Sequence, residues 1–161
     1  MKRITSNVKN DQESSAWLLY INPEIAIALG QYEVVYILKC ENHKLKNING
    51  PLFCNQTISW QDKIIKVFDL DCFINMKNNR DKNILYEYII VIPCVNDNQN
   101  VEFMGMKIMN IPVKIQVKDT QLCDYPDNYE WVKLSSSCFY NEKYGIIPIL
   151  DLTKVFNCIN E

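Results

Sequence analysis

Two stretches of the chain resemble each other at a spacing of 82 residues, about half of its 161-residue length. In Lys63–Ile74 and Gly145–Phe156, four of twelve positions are identical and others are alike, such as Val67 and Ile149. Each stretch has the pattern of a strand followed by Asp-Leu and a short helix. Chance similarity between two hydrophobic strands is one explanation. The explanation that we favour is that the chain contains two similar β subdomains, each of which ends in this way.

The repeated aspartates, Asp69 and Asp151, each stand where a strand ends and a helix begins. An aspartate at this position accepts hydrogen bonds from the first turn of the helix, so we predict that both are N-caps. We expect the leucine after each aspartate to pack its helix against the β subdomain that precedes it. Asp69 and Asp71 could instead bind a divalent cation, but no other carboxylate cluster is near in sequence. We therefore predict no metal site and no catalytic pair of carboxylates.

The rest of the chain has the pattern of an all-β protein. Short runs of β-branched and aromatic residues alternate with turn residues, which predicts about nine or ten strands and two short helices. Leu85–Val95 is almost continuously apolar, so we expect it to be buried on both faces. Gly105 indicates a bulge or a close approach of another backbone. Closed barrels are favoured because they leave no exposed sheet edge.

The charge balance disfavours binding to nucleic acid. The formal net charge is −2, and the chain has only two arginines, Arg3 and Arg80. Such a chain lacks the basic field, and the arginines between aromatic residues, that would follow a phosphate backbone. The first 15 residues are polar, and no apolar run is long enough to cross a membrane. We therefore expect no targeting segment, no membrane insertion and a cytoplasmic location.

The seven cysteines and the single histidine show no catalytic or metal-binding spacing. No two cysteines stand as C-x-x-C, and most lie in apolar surroundings, where thiols behave as small buried hydrophobic groups. A thiol enzyme would need a cysteine beside a base, and the only histidine is His43, in the polar stretch ENHKLKN. We predict no catalytic residues and no cofactor, and a thiol-dependent enzyme is the least favoured alternative.

The order of these features resembles the CheW-like domain family, the adaptor fold of bacterial chemosensory arrays. The opening strand of the family corresponds to Trp17–Ile21, and its second and third strands correspond to Glu24–Leu38. The central motif and the closing LDL strand correspond to Ile58–Leu70 and Ile147–Leu152. The resemblance covers about residues 16–158 and depends on order, spacing and apolar pattern more than on signature residues.

The resemblance implies a fold of two five-stranded β-barrels that share one hydrophobic core, which would also explain the internal repeat. We therefore expect a flexible segment over residues 1–15 and a single domain over 16–161. Within this domain we expect one subdomain over about 16–80, a second over about 81–150 and a C-terminal helix over about 152–160.

The resemblance also implies a non-enzymatic adaptor that couples a CheA-type histidine kinase to the cytoplasmic tip of chemoreceptors. It places the partner contacts at Val35, Ile37, Trp60, Gln61 and Asp62. Trp60 is equally compatible with core packing. Three of the five depart from the family pattern, since Ile37 replaces a glutamate, Gln61 an arginine and Asp62 a glycine. Glutamine cannot form the charged bidentate pair that arginine forms with a carboxylate.

These departures indicate a divergent adaptor, for instance one of a pilus-type chemosensory system. The main alternative is a different all-β module that binds a small ligand or another protein. A deep apolar cavity between the barrels, with polar groups directed into it, would favour that alternative.

Overall fold

The computed structural model describes residues 12–42, 44–75, 84–126 and 130–160. Within these residues the chain forms eleven strands and three short α-helices. The strands are β1 (Glu13–Tyr20), β2 (Ala26–Gly30), β3 (Tyr36–Lys39), β4 (Lys46–Asn47), β5 (Gln56–Trp60), β6 (Lys63–Phe68), β7 (Tyr88–Val95), β8 (Val101–Ile108), β9 (Val113–Lys118), β10 (Ser135–Asn141) and β11 (Gly145–Leu150). The helices are α1 (Leu70–Ile74), α2 (Glu130–Leu134) and α3 (Leu152–Ile159).

The strands form two curled sheets. One sheet has five strands in the order β10-β11-β2-β1-β9, and the other has six in the order β3-β7-β8-β6-β5-β4. The extra strand of the second sheet, β4, has only two residues. Each sheet forms a half-barrel, and short helices follow the closing strands β6 and β11. The predicted all-β fold of two barrel-like units is confirmed.

The two sheets do not follow the division of the chain into residues 16–80 and 81–150. The five-stranded sheet combines β1 and β2 from the first part of the chain with β9, β10 and β11 from the last part. The strands between them, β3 to β8, form the six-stranded sheet. A parallel contact of β11 with β2, at Ile149 and Ala28, joins the two ends of the chain. Local sequence patterns do not reveal such a pairing, because they report on neighbouring residues only.

The first strand begins earlier than the sequence indicates. Glu13–Ser15 pair with Gln116–Lys118 of β9, although they belong to the segment 1–15 that we expected to be flexible. Their polar side chains give no strand signal, whereas the backbone hydrogen bonds to β9 extend the strand in spite of them. The part of that prediction that concerns residues 1–11 lies outside the described residues.

The alternation of side chains along the strands divides the core into three clusters. One cluster fills the five-stranded half-barrel and includes Leu18 and Phe139. A second fills the six-stranded half-barrel and includes Ile58, Ile65 and Val67. The third and largest, here called the shared core, contains residues from the opposite faces of both sheets together with residues of α1, α2 and α3. The shared core therefore joins the two half-barrels.

The alternation is clearest in β7, the strand that was predicted to be buried on both faces. Ile89 and Val91 face the interior of the six-stranded half-barrel, and Ile90 and Ile92 face the shared core. All four side chains are 0% exposed, so the prediction is confirmed. A strand of this kind has no polar side to interrupt its apolar run.

The sequence repeat is also a repeat in the structure. β6 leads into α1 and β11 leads into α3, and both strands make a parallel contact within their sheet. The contacts join Val67 to Gly105 and Ile149 to Ala28, and Val67 and Ile149 are equivalent positions of the repeat. A Cβ atom on Gly105 would lie 2.8 Å from Cγ2 of Ile89. Gly105 therefore leaves room for side chains of the neighbouring strands, whereas the nearest backbone atom, the carbonyl oxygen of Lys66, would be at an ordinary contact distance of 3.8 Å.

Both predicted N-caps are present. The carboxylate of Asp69 accepts a hydrogen bond from the backbone N–H of Cys72 at 2.9 Å, and Asp151 accepts one from Thr153 at 3.0 Å. The leucine that follows each aspartate is buried in the shared core, as expected. Asp69 caps α1 and Asp151 caps α3, so each aspartate stands at the start of the helix that follows the closing strand of its half-barrel.

Candidate protein-interaction surface

Of the predicted contact residues, Ile37 lies on β3 and Val35 comes directly before it; β3 is at an edge of the six-stranded sheet and pairs with β7. Val35, Tyr36 and Ile37 are 43%, 53% and 40% exposed. Leu38 fixes the register of the strand, because its side chain is buried inside the half-barrel. An apolar edge strand of this kind can add a strand of another chain through its outward backbone groups.

Neighbouring side chains of β3 point to opposite faces of the sheet. Ile37 stands opposite Ile90 of β7, which belongs to the shared core, so Ile37 lies at the rim of that core. Tyr36 points to the other face, where its ring centroid is 6.4 Å from that of Trp60. The sequence analysis missed Tyr36, although strand alternation places it between the two predicted contact residues on the opposite face.

Trp60 is packed in the six-stranded half-barrel and is 8% exposed. Its ring contacts that of Phe103 edge-on, with 5.1 Å between the centroids. The ammonium of Lys63 lies 5.3 Å from the centroid of the Phe103 ring. Of the two roles that the sequence left open for Trp60, core packing is therefore the one found. Through its contact with Tyr36, Trp60 supports the surface from beneath.

Gln61 and Asp62 form the two-residue turn between β5 and β6, and both are exposed. Their φ angles are +47° and +60°, in the left-handed region. Glycine adopts this conformation without cost, and asparagine and aspartate tolerate it. Glutamine adopts it less readily than these three residues. This geometry gives a physical reason for the glycine that the CheW-like pattern has at the position of Asp62.

The contact between Tyr36 and Trp60 joins β3 to this turn. The five residues predicted from the sequence, together with Tyr36, are here called the β3–turn surface; the Tyr36–Trp60 contact links the strand to the turn, whereas Ile37 points to the other face of β3. Val35, Ile37, Gln61 and Asp62 are exposed there, and Trp60 is covered.

A groove of about 360 Å³ lies between the half-barrels, where the end of β7 faces β10 and the first turn of α3. Glu33, in the loop after β2, and Asp151 both contribute to its wall. Burial raises the pKa of the Glu33 carboxyl, a hydrogen bond with the backbone of Gly30 lowers it, and the charge of Asp151 raises it. The wall of the groove is therefore acidic and suits hydrogen-bond donors or basic side chains.

A larger cavity, of about 600 Å³, lies beside the end of β3 and is lined by Lys39, Cys40, Glu41 and Leu85–Tyr88. Charged side chains form much of its wall, and it does not lie between the half-barrels. It is therefore unlike the deep apolar cavity between barrels that a ligand-binding module would need.

The surroundings of four cysteines make their thiols less acidic. Burial raises the pKa of Cys94 and of Cys138 to about 12, and it also raises the pKa of Cys40 and Cys54. A nucleophilic cysteine needs the opposite shift, so the environment of these four disfavours thiol catalysis. His43, the only histidine, lies outside the described residues.

Within the described ranges, no group of three or more His, Cys, Asp or Glu side chains could hold a metal ion. The helices in the same ranges are too short to span a membrane, since the longest, α3, has eight residues.

Two half-barrels that share one core, each closed by a strand and a capped helix, define the CheW-like fold. A solved structure with this fold is that of the scaffolding protein TtCheW from Thermoanaerobacter tengcongensis. It superposes on this chain with a TM-score of 0.70 and 15% sequence identity, over 90% of this chain and 93% of that chain. At this identity the similarity shows the fold. No protein-family model matches the chain, and no curated protein matches it by sequence.

Proposed function

We propose that this protein is a non-enzymatic adaptor of bacterial chemosensory signalling, which couples a CheA-type histidine kinase to chemoreceptors in the cytoplasm. The observation that carries the proposal is the CheW-like fold over 90% of the chain, combined with an exposed apolar edge strand. An adaptor acts by holding two partners at fixed positions. The proposal therefore needs two surfaces, and each of them must be accessible.

The β3–turn surface is the proposed contact with the kinase. Val35 and Ile37 offer apolar area beside the outward edge of β3, and the turn at Gln61 and Asp62 offers polar groups next to it. Interfaces commonly combine a small apolar centre with a polar rim of this kind. A barrel of similar fold on the kinase could extend the six-stranded sheet at β3 or cover its apolar rim.

The residues of the turn also favour a partner that differs from the one that the usual CheW-like pattern would bind. Where the CheW-like pattern has arginine and glycine, this chain has Gln61 and Asp62, which exchanges a positive charge for a negative one. A partner that fits this turn should offer hydrogen-bond donors or a basic side chain, not a carboxylate. An adaptor of a specialised system, such as a pilus-type chemosensory system, would have such a partner.

The groove between the half-barrels is the proposed contact with the receptor. Its walls come from both sheets, so a helical tip that lies in the groove would touch both half-barrels at once. Glu33 and Asp151 would attract basic side chains or the N–H groups of a helix end. Exposed Val95, at the end of β7, adds an apolar contact at the edge of the groove.

The test is affinity purification of the tagged full chain from the cells that produce it. We expect to recover a histidine kinase, a chemoreceptor or both. Replacing both Gln61 and Asp62 with alanine should reduce recovery of the kinase, and Ile37→Glu should reduce it at least tenfold, since a buried apolar contact becomes a buried charge.

The matched control is Ile146→Glu. Ile146 is 46% exposed, close to the 40% of Ile37, but it lies on β11 in the other half-barrel. This variant should recover the kinase as well as the unmodified chain does. Absence of both partners from the purified sample would contradict the adaptor function, and equal losses in both variants would contradict the assignment of the surface.

A further inference from the structure

A short segment after β9 lies along the outer edge of β10. Leu122 and Phe139 form an antiparallel bridge, and the backbone N–H of Cys123 donates a hydrogen bond to the carbonyl oxygen of Cys138 at 2.9 Å. Because β10 is the last strand of the five-stranded sheet, this segment covers its otherwise open edge. Cys123, in this segment, therefore stands directly opposite Cys138 of β10.

The geometry of such a pair is compatible with a disulfide bond. Directly opposed residues that share a ladder hydrogen bond have Cα atoms about 5.5 Å apart, and their side chains point to the same face. Disulfide bonds are found at Cα separations of roughly 4.4–6.8 Å. The two thiols are close enough for that of Cys123 to help raise the pKa of Cys138. The paired backbones of the two cysteines are therefore compatible with a disulfide bond.

The two thiols differ in their surroundings. Cys138 is 2% exposed, and burial together with the neighbouring Cys123 thiol raises its pKa to about 12. Cys123 is half-buried, so a small oxidant can reach its sulfur from solvent. Neither cysteine is part of a disulfide bond in the structure. This combination, an accessible thiol in contact with a protected one, suits a first oxidation at Cys123 and a second step at Cys138.

We propose that Cys123 and Cys138 are a reversible oxidation site, which a hydroperoxide converts into a disulfide bond. The hydroperoxide transfers one oxygen atom to Sγ of Cys123, which becomes a sulfenic acid, and water leaves when the oxidant is hydrogen peroxide. Sγ of Cys138 then attacks the sulfenic sulfur, the S–O bond breaks, and a second water leaves with the thiol proton. In total the two thiols lose two electrons and two protons, which the peroxide takes up.

The bond would tie β10 to the segment that precedes α2. Trp131 and Leu134 of α2 are buried in the shared core, and α2 packs against α3. The disulfide would enclose α2 in a closed loop of the chain and restrict its unfolding. The proposal does not depend on the adaptor function, because it concerns the opposite half-barrel from the β3–turn surface.

The test uses the purified full chain and hydrogen peroxide, followed by alkylation of the remaining thiols with N-ethylmaleimide and mass spectrometry. The reduced chain should take up seven alkyl groups, one for each cysteine, and the oxidised chain five. Peptide mapping should recover a linked pair that contains Cys123 and Cys138. Dithiothreitol should restore all seven reactive thiols.

Variants make the result specific. Cys123→Ser should abolish the linked peptide and keep six reactive thiols after peroxide, whereas Cys40→Ser, at another half-buried cysteine, should still form the bond. Cys138→Ala serves the same purpose as Cys123→Ser if one of the two folds poorly. The proposal would be overturned by oxidation of Cys123 to sulfinic acid without a linked peptide. A linked peptide that joins other cysteines, or the same yield of linkage in urea-unfolded protein, would also overturn it.

Discussion

Asp69 and Asp151 occupy equivalent positions in the repeat, and their replacement by asparagine should have unequal effects. Both cap a helix, but Asp69 also accepts a hydrogen bond from the hydroxyl of Tyr86 at 3.0 Å and lies 4.0 Å from Nζ of Lys107. The side chains of this ion pair are 10% exposed for Asp69 and 16% for Lys107. Asparagine caps helices about as well as aspartate, so the substitution removes the charge and retains the cap.

The expected cost follows from these contacts. At Asp69, a charged hydrogen bond becomes a neutral one, which costs about 1 kcal/mol. The ion pair with Lys107 is partly screened by solvent, and its loss costs roughly another 1 kcal/mol. At Asp151, the loss of a favourable charge at the start of α3 is offset by the removal of its repulsion with Glu33, so we expect a change below about 0.5 kcal/mol. The difference between the two variants should therefore be about 2 kcal/mol.

Urea unfolding monitored by circular dichroism, together with thermal melts, measures this difference. For a chain of this size, about 2 kcal/mol corresponds to a fall in Tm of roughly 4–8 °C for Asp69→Asn. Asp151→Asn should melt within about 2 °C of the unmodified chain. Equal losses in the two variants, or a larger loss for Asp151→Asn, would refute the argument that Asp69 acts through Tyr86 and Lys107.

Three further predictions concern the turn, the parallel contact and the groove. Gln61→Asn should raise the free energy of unfolding by about 0.5–1 kcal/mol, because asparagine accepts the left-handed conformation better; a loss of stability in urea titrations would contradict this. Gly105→Ala should cost about 1–2 kcal/mol through its clash with Cγ2 of Ile89, and Ile89→Leu, which lacks that methyl group, should recover part of the loss in a double-mutant cycle. Because the folded state raises the pKa of Glu33, this group binds protons more tightly in the folded than in the unfolded chain, so its contribution to stability falls as pH rises above about 4.5. Glu33→Gln should therefore be more stable than the unmodified chain at pH 7 and should lose stability less steeply above pH 4.5, and identical pH profiles would contradict this.

The features that could be predicted from the sequence are those with local physical causes. The caps at Asp69 and Asp151 follow from a strand that ends in Asp-Leu, and the two-sided burial of β7 follows from its unbroken apolar run. Gly105 was predicted to mark a bulge or a close backbone approach, and the structure instead places side chains of the neighbouring strands against it. The repeat was visible in the sequence because the same local arrangement, strand, cap and helix, occurs twice.

The features that could not be predicted depend on contacts between distant segments. The pairing of β2 with β11 divides the strands between the sheets differently from the order of the chain. Glu13–Ser15 join β1 through their backbone, which side-chain pattern cannot show. The helix α2 has five residues, too few to show a helical period in the sequence.

The surface was predicted in part. The structure brings β3 and the turn at Gln61 together, but only the three-dimensional contact of Tyr36 with Trp60 explains why. A lone tryptophan in a sequence does not reveal whether it is exposed or packed, and Trp60 is packed. The contact between Cys123 and Cys138 was likewise invisible, since their spacing in the sequence carries no motif.

Isothermal titration of the purified chain with the barrel domain of similar fold from a CheA-type kinase of the same cell tests the proposed function most directly. We predict binding with one site for each chain, weakened at least tenfold by Ile37→Glu and unchanged by Ile146→Glu. Failure of the unmodified, folded chain to bind that domain, or equal weakening by both variants, would contradict the assignment of the β3–turn surface to a kinase.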